Sequence, residues 1–210
     1  MKKNIPIFLI ALLQLNASFG QKNYTTAQDV YQSDELTFYG YDFSHLKLAE
    51  TKRLNEDFSQ QIILWTSFCQ QHITDEKLAA WFRKEKVTSN ITPTIGLAKN
   101  INGKEVVTYA KNIVPQDSLQ SYINRYSLIE KEGVGLAVIL ECFDKVTNKT
   151  SGYFTFFDIA SKKILISDYF IGKEVDGYGL TNYWGISIVG TTKNYASSYR
   201  DKAKSFRSKK

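Results

Sequence analysis

The spacing of apolar residues along the chain predicts four helices. Within residues 52–71 apolar side chains recur at three- and four-residue steps, which predicts a helix with one buried stripe. Thr74, followed by two acids, is typical of the residue that caps a second helix. A third predicted helix follows Pro115, and a fourth begins near Leu180. The stripe of the first helix consists of Leu54, Phe58, Ile62, Trp65 and Cys69.

Runs of apolar or alternating residues predict the strands. The first run changes phase between Phe38 and Phe43, so we expect a bend or bulge at Gly40. Asn102-Gly103 favours a hairpin, because both central residues of a type I′ turn need positive φ. Short connections predict that the last three strands form an antiparallel meander. The predicted strands are residues 35–48, 91–98, 105–110, 135–144, 152–159 and 163–171.

This order of elements predicts an α+β domain. We expect a mixed, mostly antiparallel sheet with helices packed on one face, because each helix needs an apolar surface to bury its stripe. Residues 135–144 are almost wholly apolar, as in a central strand buried on both faces. A composition of 43% hydrophobic and 14% aromatic residues supports one folded domain, assigned to residues 34–200. Residues 21–33 are predicted to be a flexible lead-in, and residues 201–210 a basic tail.

Residues 1–20 have the pattern of a cleavable signal peptide. Two lysines precede the apolar stretch 5–15, and the small residues Ser18 and Gly20 stand at −3 and −1 before Gln21. The stretch is shorter than the ~20 residues that span a bilayer, which favours cleavage over a retained anchor. We therefore expect an exported protein, periplasmic or secreted, with no transmembrane segment after cleavage.

The net charge of +6 is unevenly distributed. Residues 21–192 carry 18 basic and 20 acidic side chains, whereas seven basic residues and one acid lie from Lys193 onward. A body without a basic face disfavours nucleic acid as a partner. The basic tail would allow weak contact with an anionic surface, or would serve only to keep the chain end soluble.

The two cysteines leave two interpretations open. In an oxidising compartment Cys69 and Cys142 would be able to form a disulfide, and the alternative is two separate buried thiols. Cys69 and His72 share a helix face, as a thiolate–imidazole pair or half of a metal site would. With two histidines and two cysteines in the chain, core packing is favoured, and we expect neither a metal nor a cofactor.

Asp42, Ser44 and His45 contain the residue types of a hydrolase triad. In an extended strand, however, alternation places Asp42 and Ser44 on one face and His45 on the other. A local triad is therefore not expected.

The glycine-spaced stretch 172–185 matches no phosphate-binding motif and predicts a turn and a helix cap. Its aromatic and amide side chains form the candidate recognition surface, with packing on the sheet as the alternative. The candidate residues are Tyr178, Asn182, Tyr183 and Trp184.

Residues 133–186 resemble a group of exported proteins common in Bacteroidetes. The resemblance lies in GVGLAVILECFDK, in the FFDI segment and in the NYW segment, with a weaker echo in FYGYDFSHLKL. The element order is also similar to the TolB amino-terminal domain and to the curli-secretion lipoprotein CsgG, where a segment like residues 157–165 marks a hairpin. That second resemblance implies an envelope protein that binds other proteins. Neither resemblance implies catalytic residues, and no cysteine lies near residue 20 to carry a lipid anchor.

Together these features predict a non-enzymatic binding module of the cell envelope. Its partner would be another envelope protein or a cell-surface component, bound through a sheet edge or through the glycine-rich loop. The alternative is an enzyme or a small-molecule-binding protein whose pocket the sequence does not reveal. Such a pocket would use Asp42, His45 or Cys69.

Overall fold

The computed structural model describes residues 23–50, 52–53, 56–174 and 177–207, so the predicted signal peptide 1–20 lies outside it. The helices are α1 (Ala27–Gln32), α2 (Ser59–His72), α3 (Asp75–Phe82), α4 (Thr92–Ala98), α5 (Leu119–Asn124) and α6 (Leu180–Arg207). The strands are β1 (Glu35–Asp42), β2 (Lys47–Ala49), β3 (Lys86–Ser89), β4 (Val107–Thr108), β5 (Val134–Asp144), β6 (Lys149–Asp158) and β7 (Ile164–Ile171).

The seven strands found in the described residues belong to one mixed sheet with β5 at its centre. Strands β1 and β2 follow one another along the same side of β5, and β3 and β4 pair with them at the outer edge. Strand β6 lies on the other side of β5, and β7 is the last strand there. The α+β class is confirmed, but the prediction of a mostly antiparallel sheet is wrong, because four of the six pairings are parallel. Long helical connections between the early strands permit parallel pairing, whereas the short turns of the confirmed β5–β6–β7 meander do not.

The predicted hairpin across residues 91–110 is also wrong. Residues 92–98 form α4, with Pro93 in its first turn, where a missing N–H costs nothing. Asn102 does not form a type I′ turn. Its side chain accepts a hydrogen bond from the Lys104 N–H and caps a short 3₁₀ turn.

The core lies on both faces of the sheet. Helices α1, α2, α3 and α6 cover one face, and their apolar residues pack against β1, β5 and β6. The prediction that residues 21–33 are a flexible lead-in is wrong for Ala27–Gln32, which form α1 and bury Val30 and Tyr31 in this core. On the opposite face α5 packs Leu119 and Ile123 against Ile139 and Phe157. The single helical layer of the prediction therefore needs correction, since a central strand that is apolar on both sides requires cover on both sides.

Gly40 breaks the first strand as predicted. Its φ is +82°, and the register of β1 against β5 shifts between Phe38 and Tyr41. A Cβ at Gly40 would lie 2.8 Å from Cγ2 of Ile91, so the bulge also lets α4 approach the strand. Glycine is required here both for its conformation and for space.

Helix α6 begins where the sequence predicts and continues to Arg207, so residues 201–207 of the predicted basic tail are helical. Phe206 stacks on Tyr31 of α1, which holds this end of the helix against the domain. Two of its lysines are paired, Lys202 with Asp168 and Lys204 with Asp201. Among the described residues, no helix combines the length and the hydropathy that crossing a membrane requires.

Candidate functional site

The four candidate residues of the glycine-rich loop do not form one surface. Tyr178 is 96% exposed and Asn182 is exposed, whereas Tyr183 and Trp184 are buried. The Trp184 ring stacks on Phe143 with 4.6 Å between ring centroids. Two of the four residues therefore anchor α6 in the core, and two face solvent.

Cys69 and Cys142 are free and buried, as in the interpretation of two separate buried thiols. Cys69 packs in the core on the α2 face, and burial raises the pKa of its thiol. Burial also raises the pKa of the Cys142 thiol, which receives backbone hydrogen bonds from Asn112 and Ala49. The pKa of each thiol is thus raised, whereas a lowered pKa is what activates a cysteine nucleophile.

His72 does not pair with Cys69. Its Nδ1 lies 2.8 Å from the carbonyl oxygen of Phe68, and its ring stacks on the Phe68 ring at 4.0 Å. Among the described residues, no group of three or more histidine, cysteine or acidic side chains is arranged to hold a metal ion.

Asp42, Ser44 and His45 lie close together without forming a relay. The Tyr126 hydroxyl donates to Oδ2 of Asp42 at 2.9 Å, and the Ser44 N–H donates to Oδ1 at 2.8 Å. The guanidinium of Arg125 lies 2.6 Å from Nε2 of His45. Because this ring nitrogen faces a cation, it is not placed to take a proton from a nucleophile. The cluster instead ties the end of β1 to the segment that follows α5.

A second buried carboxylate, that of Glu141 in β5, fixes the side chain of Tyr169 in β7. It is 1% exposed and accepts hydrogen bonds from the Val114 N–H at 2.8 Å, the Ser151 hydroxyl at 2.6 Å and the Tyr169 hydroxyl at 2.8 Å. Three neutral donors satisfy this buried carboxylate, as burial of a charge requires. Tyr169 is thereby held in one orientation on β7.

Strand β7 is an open edge of the sheet. Within the described residues it pairs with β6 alone. The Gly172 N–H donates to the Thr150 carbonyl at 2.7 Å, and hydrogen-bonded pairs alternate along an antiparallel ladder. The backbone groups of Ser167, Tyr169 and Ile171 therefore point away from β6, toward the free edge.

A groove of about 380 Å³ runs between this edge and α6. Its strand wall consists of the six consecutive residues 168–173. Side chains alternate between the faces of a strand, so six consecutive residues can share one groove only along the backbone edge. The helix wall consists of Thr191, Asn194, Tyr195, Ser198 and Lys202, at the spacing of one helix face.

Asp168 holds the two walls together. Its Oδ2 accepts a hydrogen bond from the Tyr195 hydroxyl at 2.7 Å and another from Nζ of Lys202 at 2.8 Å. Burial, together with the Asp168 carboxylate, raises the pKa of Tyr195 and keeps the hydroxyl protonated as a donor. With Lys173 at the end of β7, the described lining carries two lysines and one acid, a net positive charge.

The other face of the edge is apolar and accessible. Tyr169 is 46% exposed and Ile171 is 57% exposed. An extended segment lying along β7 would thus find unpaired backbone groups beside it, a polar groove on one side and two apolar side chains on the other. This is the arrangement by which a sheet edge binds a peptide strand.

Sequence reasoning named a sheet edge but did not identify these residues. Asp168 and Tyr195 are 27 residues apart, and no local pattern links them. The sequence signal that could have identified this edge is the segment ILISDYFI. It is the last predicted strand of the meander, and it has apolar residues on both faces of the strand.

No protein-family model, curated protein or solved structure matches this chain. The resemblance to exported Bacteroidetes proteins and to the TolB and CsgG folds therefore stays a prediction.

Proposed function

We propose that this chain is an exported, non-enzymatic binding protein whose β7 edge accepts an extended segment of another envelope protein. The observation that carries the proposal is the groove in which the unpaired backbone of β7 lies along one face of α6. Main-chain hydrogen bonds to Ser167, Tyr169 and Ile171 would supply affinity, and side chains on the two faces would supply specificity.

The chemistry of the two faces defines the segment. Alternate residues of an added strand would point toward Asn194, Ser198 and Lys202, where polar or acidic side chains fit. The residues between them would point toward Tyr169 and Ile171, where apolar side chains fit. We therefore expect a segment in which acidic or polar residues alternate with apolar ones.

The composition of β7 supports use of its edge. Exposed edges are commonly protected from pairing by lysine, proline or a bulge. Residues 167–171 contain neither lysine nor proline, and the irregularity of the β6–β7 ladder lies before them, at Phe156 and Phe157. Without these protective features, residues 167–171 can pair with a strand from a partner.

A library of phage-displayed linear peptides, selected on the mature chain, tests the proposal. We expect enriched sequences to alternate apolar and acidic residues, and S198W, which places an indole in the groove, to bind them at least tenfold more weakly. S197W is the matched control, because Ser197 is exposed on α6 outside the groove lining.

Backbone hydrogen exchange provides the second measurement. Binding through the edge should slow exchange at the amides of Ser167, Tyr169 and Ile171. Peptides that bind S198W and S197W equally, or that leave those amides unprotected, would contradict the proposal. A concentration-dependent dimer that protects the same amides would show that a second copy of this chain occupies the edge instead.

The export part of the proposal is supported by residues 1–20 and has its own test. Mass spectrometry of the protein from fractionated cells should find an amino terminus at Gln21 outside the inner membrane. An intact Met1 in the cytoplasmic fraction would contradict export without affecting the peptide-binding edge.

A further inference from the structure

A second cavity lies between α2 and the bulged part of β1, and β5 and β6 separate β1 from β7 in the sheet. Its volume is about 260 Å³. Core residues from both elements form its floor, and the ends of β3 and α4 close its side. The apolar residues of its lining are Phe38, Tyr41, Phe43, Cys69, Ile73 and Ile91.

The hydroxyl groups around this cavity bond within the protein. The Thr94 hydroxyl donates to the Tyr39 carbonyl at 2.7 Å, and the Thr66 hydroxyl donates to the Ile62 carbonyl at 2.9 Å. The Tyr41 hydroxyl lies 2.7 Å from Oγ1 of Thr192. The inner wall therefore offers a ligand mainly apolar contact.

Asp75 supplies the charge. It is half-buried at the start of α3, and of the described residues lining the cavity it is the one that carries a charge. The hydroxyl and the N–H of Ser89 donate to its two oxygens and hold the carboxylate in place. A carboxylate has about four lone-pair sites, so acceptor capacity is left for a cationic group at the cavity.

A second groove lies next to the cavity. A groove of about 410 Å³ between α2 and α4 shares Thr66 and Gln70 with the cavity. Its walls include Ile62, Ile63 and Ile95. The groove thus adjoins the cavity along α2, with Thr66 and Gln70 at the boundary between them.

We propose that this cavity binds a small apolar amine, with a ring or an alkyl chain inside and the ammonium group beside Asp75. An apolar cavity of about 150 Å³ holds benzene, so this volume suits a bicyclic ring or a chain of about six to eight carbons. The single negative charge selects an amine over an alcohol or a carboxylate of the same length.

Three ligands with eight carbon atoms each but different head groups test the proposal by calorimetry. We expect n-octylamine to bind more tightly than 1-octanol, and octanoate to bind most weakly. D75N should weaken n-octylamine about three- to fivefold, as for a partly exposed ion pair, and should leave 1-octanol unchanged. E76Q is the matched control, because Glu76 is the next residue of α3 and does not line the cavity.

A cavity-filling pair locates the site. T66F should abolish binding of all three ligands, whereas S67F should retain binding of n-octylamine, because Ser67 lines the groove without lining the cavity. In a C142S background, n-octylamine should also slow the reaction of Cys69 with methyl methanethiosulfonate. This thiol measurement decides the location of the site if T66F does not fold.

Two results would overturn the proposal. One is n-octylamine binding no tighter than octanoate, with D75N and E76Q behaving alike. The other is binding that persists in T66F or leaves the reaction rate of Cys69 unchanged. Neither result would bear on the β7 edge, because the two sites share no lining residue.

Discussion

The Tyr195 hydroxyl donates a 2.7 Å hydrogen bond to Oδ2 of Asp168, joining the middle of α6 to the outer strand of the sheet. The Tyr195 ring stacks on Phe154 of β6 with 3.8 Å between ring centroids, so the residue is fixed at both ends. Lys202 lies about two turns further along the same face of α6 and donates to the same carboxylate. Two contacts to one side chain, Asp168, therefore join β7 to α6 along the groove.

Replacing Tyr195 by phenylalanine should weaken both the fold and the proposed peptide site. Y195F retains the ring stack but removes one donor to a charged acceptor, so we expect a loss of about 1.5 kcal/mol in the free energy of unfolding. Urea denaturation measures this loss, and affinity for the selected peptides should fall in parallel. Y109F is the control, because Tyr109 is exposed and does not line the groove. Equal stability of the two variants would contradict the bracing role of Asp168.

His45 should make stability depend on pH. Burial lowers its pKa, nearby Asp42 raises it, and Arg125 and Lys47 lower it further, with a net decrease. The unfolded chain, with a histidine pKa near 6.5, therefore binds more protons than the folded chain as pH falls below about 6.5. The contribution of neutral His45 is present above that pH and is lost as pH decreases.

Denaturation at pH 7.5 and at pH 5 measures this effect. H45Q should lose less stability between these two values than the unmodified chain, because glutamine does not titrate and can still accept from Arg125. H72Q is the matched control, since His72 is exposed on α2. A pH dependence identical in H45Q and in the unmodified chain would show that His45 does not contribute.

Truncation to alanine should change the free energy of unfolding far more at Trp184 than at Tyr178. W184A removes a fully buried indole stacked on Phe143, for which we expect a cost of about 3–5 kcal/mol. Y178A removes a side chain that is almost wholly exposed, for which we expect a change within about 0.5 kcal/mol. Thermal unfolding compares the two variants. A small effect of W184A would contradict the core position of this residue.

Both thiols should react with a thiol reagent once the chain is unfolded, even when no reductant is added. Cys69 packs among core residues of the α2 face, and the Cys142 thiol receives backbone hydrogen bonds from Asn112 and Ala49. Because both cysteines are free in the folded chain, we expect two free thiols per denatured chain. A thiol-reactive chromophore counts them. A reductant should leave the unfolding midpoint unchanged, whereas a shift of several degrees would indicate a disulfide.

The sequence by itself determined the features that depend on local order. The stripe from Phe58 to Cys69 predicts α2, and Thr74 caps α3 through its hydroxyl as expected. The phase change around Gly40 identifies the bulge, and short turns identify the β5–β6–β7 meander. Helical and strand periodicities, caps and tight turns act over a few residues, so they can be recognised from the residues alone.

Only the tertiary structure decided which elements meet. Residues 92–98 have apolar side chains that suit a strand or a helix, and their position over Gly40 is that of α4. The parallel pairing of β1 and β5, the burial of Trp184 and the contact of Asp168 with Tyr195 each join residues far apart in the chain. Such contacts depend on which apolar surfaces can be buried together, and that free energy belongs to the whole fold rather than to any segment of it.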